Sequence, residues 1–216
     1  MISSRRGKAP APILLNIIRI LVGVLFIFSG LVKADDPLGL SYKMREFFEI
    51  WNEGLAHKRY FFSQALIQVF SWLHEHSLPL AIAMITFEIV AGVALIVGWM
   101  MRFFSWMLLL LIVFFTFLTG YAYLSGRFTN CGCFGDCLPI TPLTSFLKDV
   151  VLTVLILIVF FYRSGIRPLL NDTASLLTIL GAGLLSLALQ WYVLNYLPLV
   201  DCLPYKKGNN IAEKMK

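Results

Sequence analysis

The side chains best suited to chemistry are four cysteines: Cys131, Cys133, Cys137 and Cys202. Three of them fall in the segment Asn130-Cys131-Gly132-Cys133-Phe134-Gly135-Asp136-Cys137, where two glycines permit tight backbone turns. A thiolate is both a nucleophile and a metal ligand, so the cluster admits three readings. Two disulfides could tie the loop and the tail to the membrane face. A thiol–disulfide relay could run through them, and a bond between Cys131 and Cys133 would close a small strained ring of the labile, oxidising kind. A metal site of up to four thiolates is the third, with His57, His74 and His76 expected on the same side, although zinc sites usually use wider ligand spacing. Four cysteines allow three complete connectivities, and spacing does not choose among them.

These residues must be held by helices in a bilayer. Hydrophobic residues make up 59% of the 216 and charged residues 14%, whereas soluble domains run at about 45–50% and about 25%. The excess sits in long runs, and a membrane-crossing helix needs about 20 apolar residues. A soluble enzyme is thereby excluded. Spans are expected at about residues 11–33, 78–100, 103–124 and 143–162, with a fifth at about 174–197. Residues 34–77 and 125–142 read as loops, with a short interfacial helix over 61–73, and 198–216 as a polar tail. The first run is longer than the apolar core of a signal peptide and lacks a small-residue cleavage site after it, so it reads as a retained span.

The net charge of +6 lies at segment ends, where orientation and anionic lipid account for it. No basic tract with interleaved aromatics points to nucleic acid. Arg5, Arg6 and Lys8, then Arg102, then Arg163 and Arg167 fall on one side of a five-span topology. The positive-inside tendency makes that side cytoplasmic and puts the cysteines on the periplasmic face of a bacterial inner membrane, where disulfides persist.

Charged residues within spans normally face the bundle interior and pair. Arg19 and Glu88 lie about eight and twelve residues from the cytoplasmic ends of their spans, a depth difference of roughly 6 Å that a long arginine could bridge. They are expected to pair, either as a structural link between the first two spans or as the lining of a polar pocket. Lys33 and Asp149, near the opposite ends of their spans, could pair beside the cysteine loop. Lys33 could otherwise snorkel to the interface.

The first span, Arg19-Ile-Leu-Val-Gly23-Val-Leu-Phe26-Ile-Phe28-Ser29-Gly30-Leu-Val-Lys33, resembles the opening signature of the DoxX-like membrane proteins. Glu88 followed by Gly92 and Gly98 is similar to their second helix. The segment Cys131-Gly-Cys133-Phe-Gly135, with Asp149 in the next span, resembles the MauE branch. The resemblance covers roughly residues 13–160. It implies an all-α integral membrane protein, a four-helix transmembrane bundle with a fifth helix added here. It also implies an association with methylamine utilisation, maturation of a disulfide-rich partner and membrane redox chemistry. The expectation is a thiol–disulfide redox protein with Cys131 and Cys133 at the exchanging end and Cys137 and Cys202 resolving. Its partner would be a periplasmic thioredoxin-like or disulfide-containing protein, and its electron acceptor a membrane quinone. A non-catalytic anchor or assembly factor with permanent disulfides is the alternative. A small-molecule transporter fits less well, because no inverted repeat or broken helix is present.

Overall fold

The computed structural model describes residues 12–56, 63–125, 141–196 and 198–200, and every regular element among them is helical. In chain order they are α1 (Pro12–Ala34), α2 (Pro37–Ala56), α3 (Ser63–Glu75), α4 (Ser77–Val97), α5 (Met101–Ser125), α6 (Pro142–Tyr162) and α7 (Asp172–Asn195), with a short 3-10 turn at Arg163–Gly165. Five of them, α1, α4, α5, α6 and α7, are long and apolar enough to cross a membrane. The protein is therefore a multi-pass membrane protein. The five expected spans coincide with these helices to within a few residues.

Helices α1 and α4 run antiparallel in close backbone contact. A side chain added at Gly92 would begin 2.8 Å from the Gly23 carbonyl oxygen, and one at Gly30 would begin 2.5 Å from Ile89. Without a hydrophobic drive between helices in lipid, such small-residue contacts gain packing energy through close approach. Helix α4 ends at Gly98, whose φ of 80° is the left-handed cap conformation, and its N–H bonds the Ala94 carbonyl at 2.8 Å. The chain then turns directly into α5, which pairs with α6. Val22, Phe26, Leu95, Leu108, Ile112, Ile156 and Val159 fill the core of this four-helix bundle.

Helix α7 lies outside the four and docks on α4 through polar groups. Gln190 donates to Thr86 Oγ1 at 3.0 Å and to Ser186 Oγ at 3.1 Å. Only the bond to Thr86 crosses from α7 to α4, and in lipid such a bond between helices contributes about 0.6–2 kcal/mol.

The stretch 34–60 differs from the polar loop expected of it. Much of it is α2, with Asp36 capping the start by accepting from the Gly39 N–H at 2.9 Å. Met44, Phe47, Phe48 and Trp51 recur at helical spacing, and the first three are buried. Lys43, Arg45, Glu46 and Glu49 between them lower the mean hydropathy and hide the stripe from a hydropathy scan. The expected short helix is present as α3, displaced by two residues, and its exposed side chains include Leu66, Val69 and Trp72.

Candidate functional site

The C-termini of α1, α5 and α7 and the N-termini of α4 and α6 meet at one end of the bundle. Cys131, Cys133 and Cys137 lie between α5 and α6, and Cys202 lies after α7. All four, with His57, are outside the described residues. What the structure describes is the polar cluster beneath that end.

Lys33, in the last turn of α1, reaches Glu88 on α4. Its Nζ donates to Oε1 at 2.9 Å and Oε2 at 2.7 Å, and both side chains are no more than 5% exposed. The same ammonium stands 4.5 Å from the centre of the Phe115 ring on α5, a cation–π contact on top of the ion pair. Asp149, on the second turn of α6 and also buried, is held differently. Lys148 Nζ lies 3.1 Å from its Oδ1, and Thr119 Oγ1 lies 3.1 Å from its Oδ2. The Thr119 hydroxyl is also 3.0 Å from the Phe115 carbonyl, so its single proton serves one acceptor at a time. Glu88 is thus locked by one buried cation, and Asp149 by a shared hydroxyl and a lysine that is 28% exposed. Between them is a cavity of roughly 50 Å³, lined by Ser29, Lys33, Glu88, Lys148 and Asp149 and by apolar side chains of α1, α5 and α6. That is room for a small number of water molecules.

The expected pairing of Arg19 with Glu88 is corrected here. Arg19 does not meet Glu88. It is buried beside Gly98, ten residues further along α4, or about 15 Å at 1.5 Å per residue. Its Nη1 donates to the Arg167 carbonyl at 3.2 Å, and its Nε is buried with no hydrogen-bond partner among the described residues. Nearby, Leu169 N–H bonds the Val97 carbonyl at 2.8 Å. Arg19 therefore joins α1, the C-terminus of α4 and the α6–α7 connection, where the partial negative charge of a helix end favours a cation. The reason is register: the Gly23–Gly92 and Gly30–Ile89 contacts slide Lys33, not Arg19, to the level of Glu88. Lys33 and Asp149 line the same cavity, but Lys33 bonds Glu88 rather than Asp149.

The other residues considered for ligation are engaged locally. His74 Nε2 is 2.8 Å from Glu49 Oε1, and the His76 ring stacks on Trp72 with centroids 4.5 Å apart.

Sequence reasoning missed Thr119, Lys148, Phe115 and Asp35. Asp35 follows α1 and accepts from the Leu199 N–H at 2.8 Å and the Val200 N–H at 3.2 Å. It draws the segment just before Cys202 to the end of α1. No local pattern signals this contact, because its partners are backbone amides 164 and 165 residues away. Lys148 offered a weak signal, being adjacent to a carboxylate at the start of a span.

The family model for methylamine utilisation protein MauE matches residues 11–162. That region ends with α6 and contains Lys33, Asp35, Glu88, Phe115, Thr119, Lys148 and Asp149, leaving α7 outside. Protein TlpB of Flavobacterium psychrophilum is 29% identical over 150 residues, which are 68% of this chain and 36% of that protein. The chain thus matches little more than a third of that relative's length. No solved structure matches the chain. With the bundle and most of the chain inside the matched region, the protein belongs to the MauE family.

Proposed function

We propose that the protein is a membrane thiol–disulfide exchange protein acting on a periplasmic partner. The observation that carries this reading is the Asp35 contact. Leu199 and Val200, three and two residues before Cys202, are bonded at the end of α1. This is also the bundle end where α5 stops and α6 begins, on either side of Cys131, Cys133 and Cys137. Such an arrangement supports a meeting of two cysteine-bearing segments on one membrane face. The relative named TlpB, the MauE family and the wider DoxX-like resemblance are consistent with a membrane role beside secreted or envelope proteins. Methylamine utilisation is the family's description, and the partner's maturation in that process is part of the proposal.

The exchange balances without a further reagent. A partner thiolate attacks one sulfur of a disulfide formed by Cys131 or Cys133, making a mixed disulfide and releasing a thiolate on this chain. The partner's second thiolate then attacks the partner sulfur of that mixed disulfide and displaces this chain's cysteine, leaving the partner oxidised and this chain holding two thiols. With the opposite starting states, the same steps reduce the partner.

Exchange with a dithiol peptide, followed by trapping of the mixed disulfide, tests the reading. Cys133→Ser should abolish exchange while the chain still inserts and folds. Wild-type exchange by that variant would refute the assignment. Four cysteines fixed in two inert disulfides would favour an anchor or assembly factor instead.

A further inference from the structure

Helix α4 packs chiefly on α1, and α5 chiefly on α6. Between α4 and α5, under the α2–α3 hairpin, a cleft of about 460 Å³ remains. Close-packed interiors hold few voids larger than a water molecule, so this space is not ordinary packing slack. The described residues that line it are all Met, Leu, Phe or Trp. Phe48 of α2 and Phe70 of α3 stack across its hairpin side with ring centres 6.2 Å apart, and Trp51 joins them 5.4 Å from Phe70. None of α3's own side chains is buried, so the packing beneath that helix is incomplete. Along α4 the lining runs from Leu80 to Phe87, three and ten residues after Ser77, or about 5 to 15 Å below the helix start. That is the depth of one leaflet, half of a hydrocarbon core of about 30 Å. Leu110, at the edge of the cleft on α5, is 54% exposed, so the mouth is continuous with the lipid-facing surface of a spanning helix.

We propose that this cleft is a binding site for one acyl chain of a bilayer phospholipid, from the leaflet on the α2–α3 side. Its chemistry excludes the other occupants. Water does not fill an apolar cavity. An irregular peptide segment would bring backbone N–H and C=O groups into a space whose lining carries no charged group, and in lipid those groups must be satisfied. A helix of a second copy is too large: one turn, about 10 Å across and 5.4 Å high, already occupies roughly 420 Å³. A flexible hydrocarbon chain needs no polar partner and enters sideways through the mouth. Met84 of α4 and Met107 of α5 face each other across the path, and methionine adapts its shape to an irregular guest. The bound chain completes the packing under α3 and so fixes the α2–α3 hairpin against the bundle. Occupancy needs no cysteine and no thiol turnover.

The test is photo-crosslinking of the full-length protein in nanodiscs that contain a small fraction of phosphatidylcholine with a diazirine in its acyl chain, mapped by mass spectrometry. Leu184 and Leu185, exposed on α7, report the lipid that merely surrounds the protein. Labels on residues 84–87 and 107–114 are expected to exceed those on α7 at least fivefold. Met84→Trp and Met107→Trp fill the cleft and should lower its labelling at least fivefold, with labelling of α7 unchanged. Met107→Leu, which nearly conserves volume, should label as the wild type does. Equal labelling of the cleft and α7 would make the occupant ordinary surrounding lipid and overturn the site. So would cleft labelling that both tryptophan variants leave intact, or a chain-to-chain crosslink through the cleft residues. If the tryptophan variants fail to fold, the wild-type ratio of cleft to α7 labelling decides alone.

Discussion

Lys33 holds both carboxylate oxygens of Glu88 within 2.9 Å, with the Phe115 ring covering the ammonium. Each charge is buried in the bundle, so neither can turn to water if its partner is removed. Glu88→Ala should destabilise the fold by about 3–5 kcal/mol, because Lys33 is left buried and uncompensated. A Lys33→Met/Glu88→Met double variant should recover much of that loss. Denaturation in mixed detergent micelles measures both.

Arg19 and Glu88 provide the contrasting case. They are separated by about ten residues of α4, or roughly 15 Å, and share no partner among the described residues. In a double-mutant cycle, Arg19→Met and Glu88→Gln should add to within about 0.5 kcal/mol. Lys33→Met and Glu88→Gln should instead show coupling of at least about 1 kcal/mol. Strong coupling of Arg19 to Glu88 would mean that the α1–α4 register differs from the one described.

That register also explains which parts of the molecule could be read from sequence. The five spans were legible because each is a long apolar run, and hydropathy does not depend on partners. The pairing of charges was not. Arg19 and Glu88 look level when depth is counted from helix ends, but the contact of Gly23 with Gly92 sets the slide between helices, and that contact is a property of two surfaces. Helix α2 escaped because its apolar stripe of Met44, Phe47, Phe48 and Trp51 is diluted by four charges. The placement of Lys33 and Asp149 near one end of their spans is legible in the sequence, while the lysine's preference for Glu88 depends on which face of α1 meets α4.

The Gly23–Gly92 crossing can be probed directly. Gly92→Val would drive a side chain into the Gly23 backbone, 2.8 Å from its carbonyl oxygen. Separation of α1 from α4 should cost about 1–3 kcal/mol. Gly181→Ala is the control, since nothing lies within 4 Å of a Cβ there. It should be neutral, or stabilise α7 by about 0.5–1 kcal/mol.

The Asp35 contact predicts local protection. Asp35→Ala removes the acceptor for the Leu199 and Val200 amides. Hydrogen exchange at these two amides should accelerate at least tenfold, while amides in the middle of α7 stay protected. Asp35→Asn keeps one acceptor oxygen and should fall between. Unchanged exchange in Asp35→Ala would show that the segment before Cys202 is held by something else.

The most direct test of thiol–disulfide exchange is the redox state of Cys131, Cys133, Cys137 and Cys202 in intact cells. Free thiols are trapped with a membrane-impermeant alkylating reagent, before and after mild reduction, and mapped by mass spectrometry. A working relay gives a mixture of thiol and disulfide that shifts with growth conditions and is accessible from outside the cytoplasm. Two complete disulfides unmoved by mild reductant, or labelling only after the membrane is permeabilised, would contradict it.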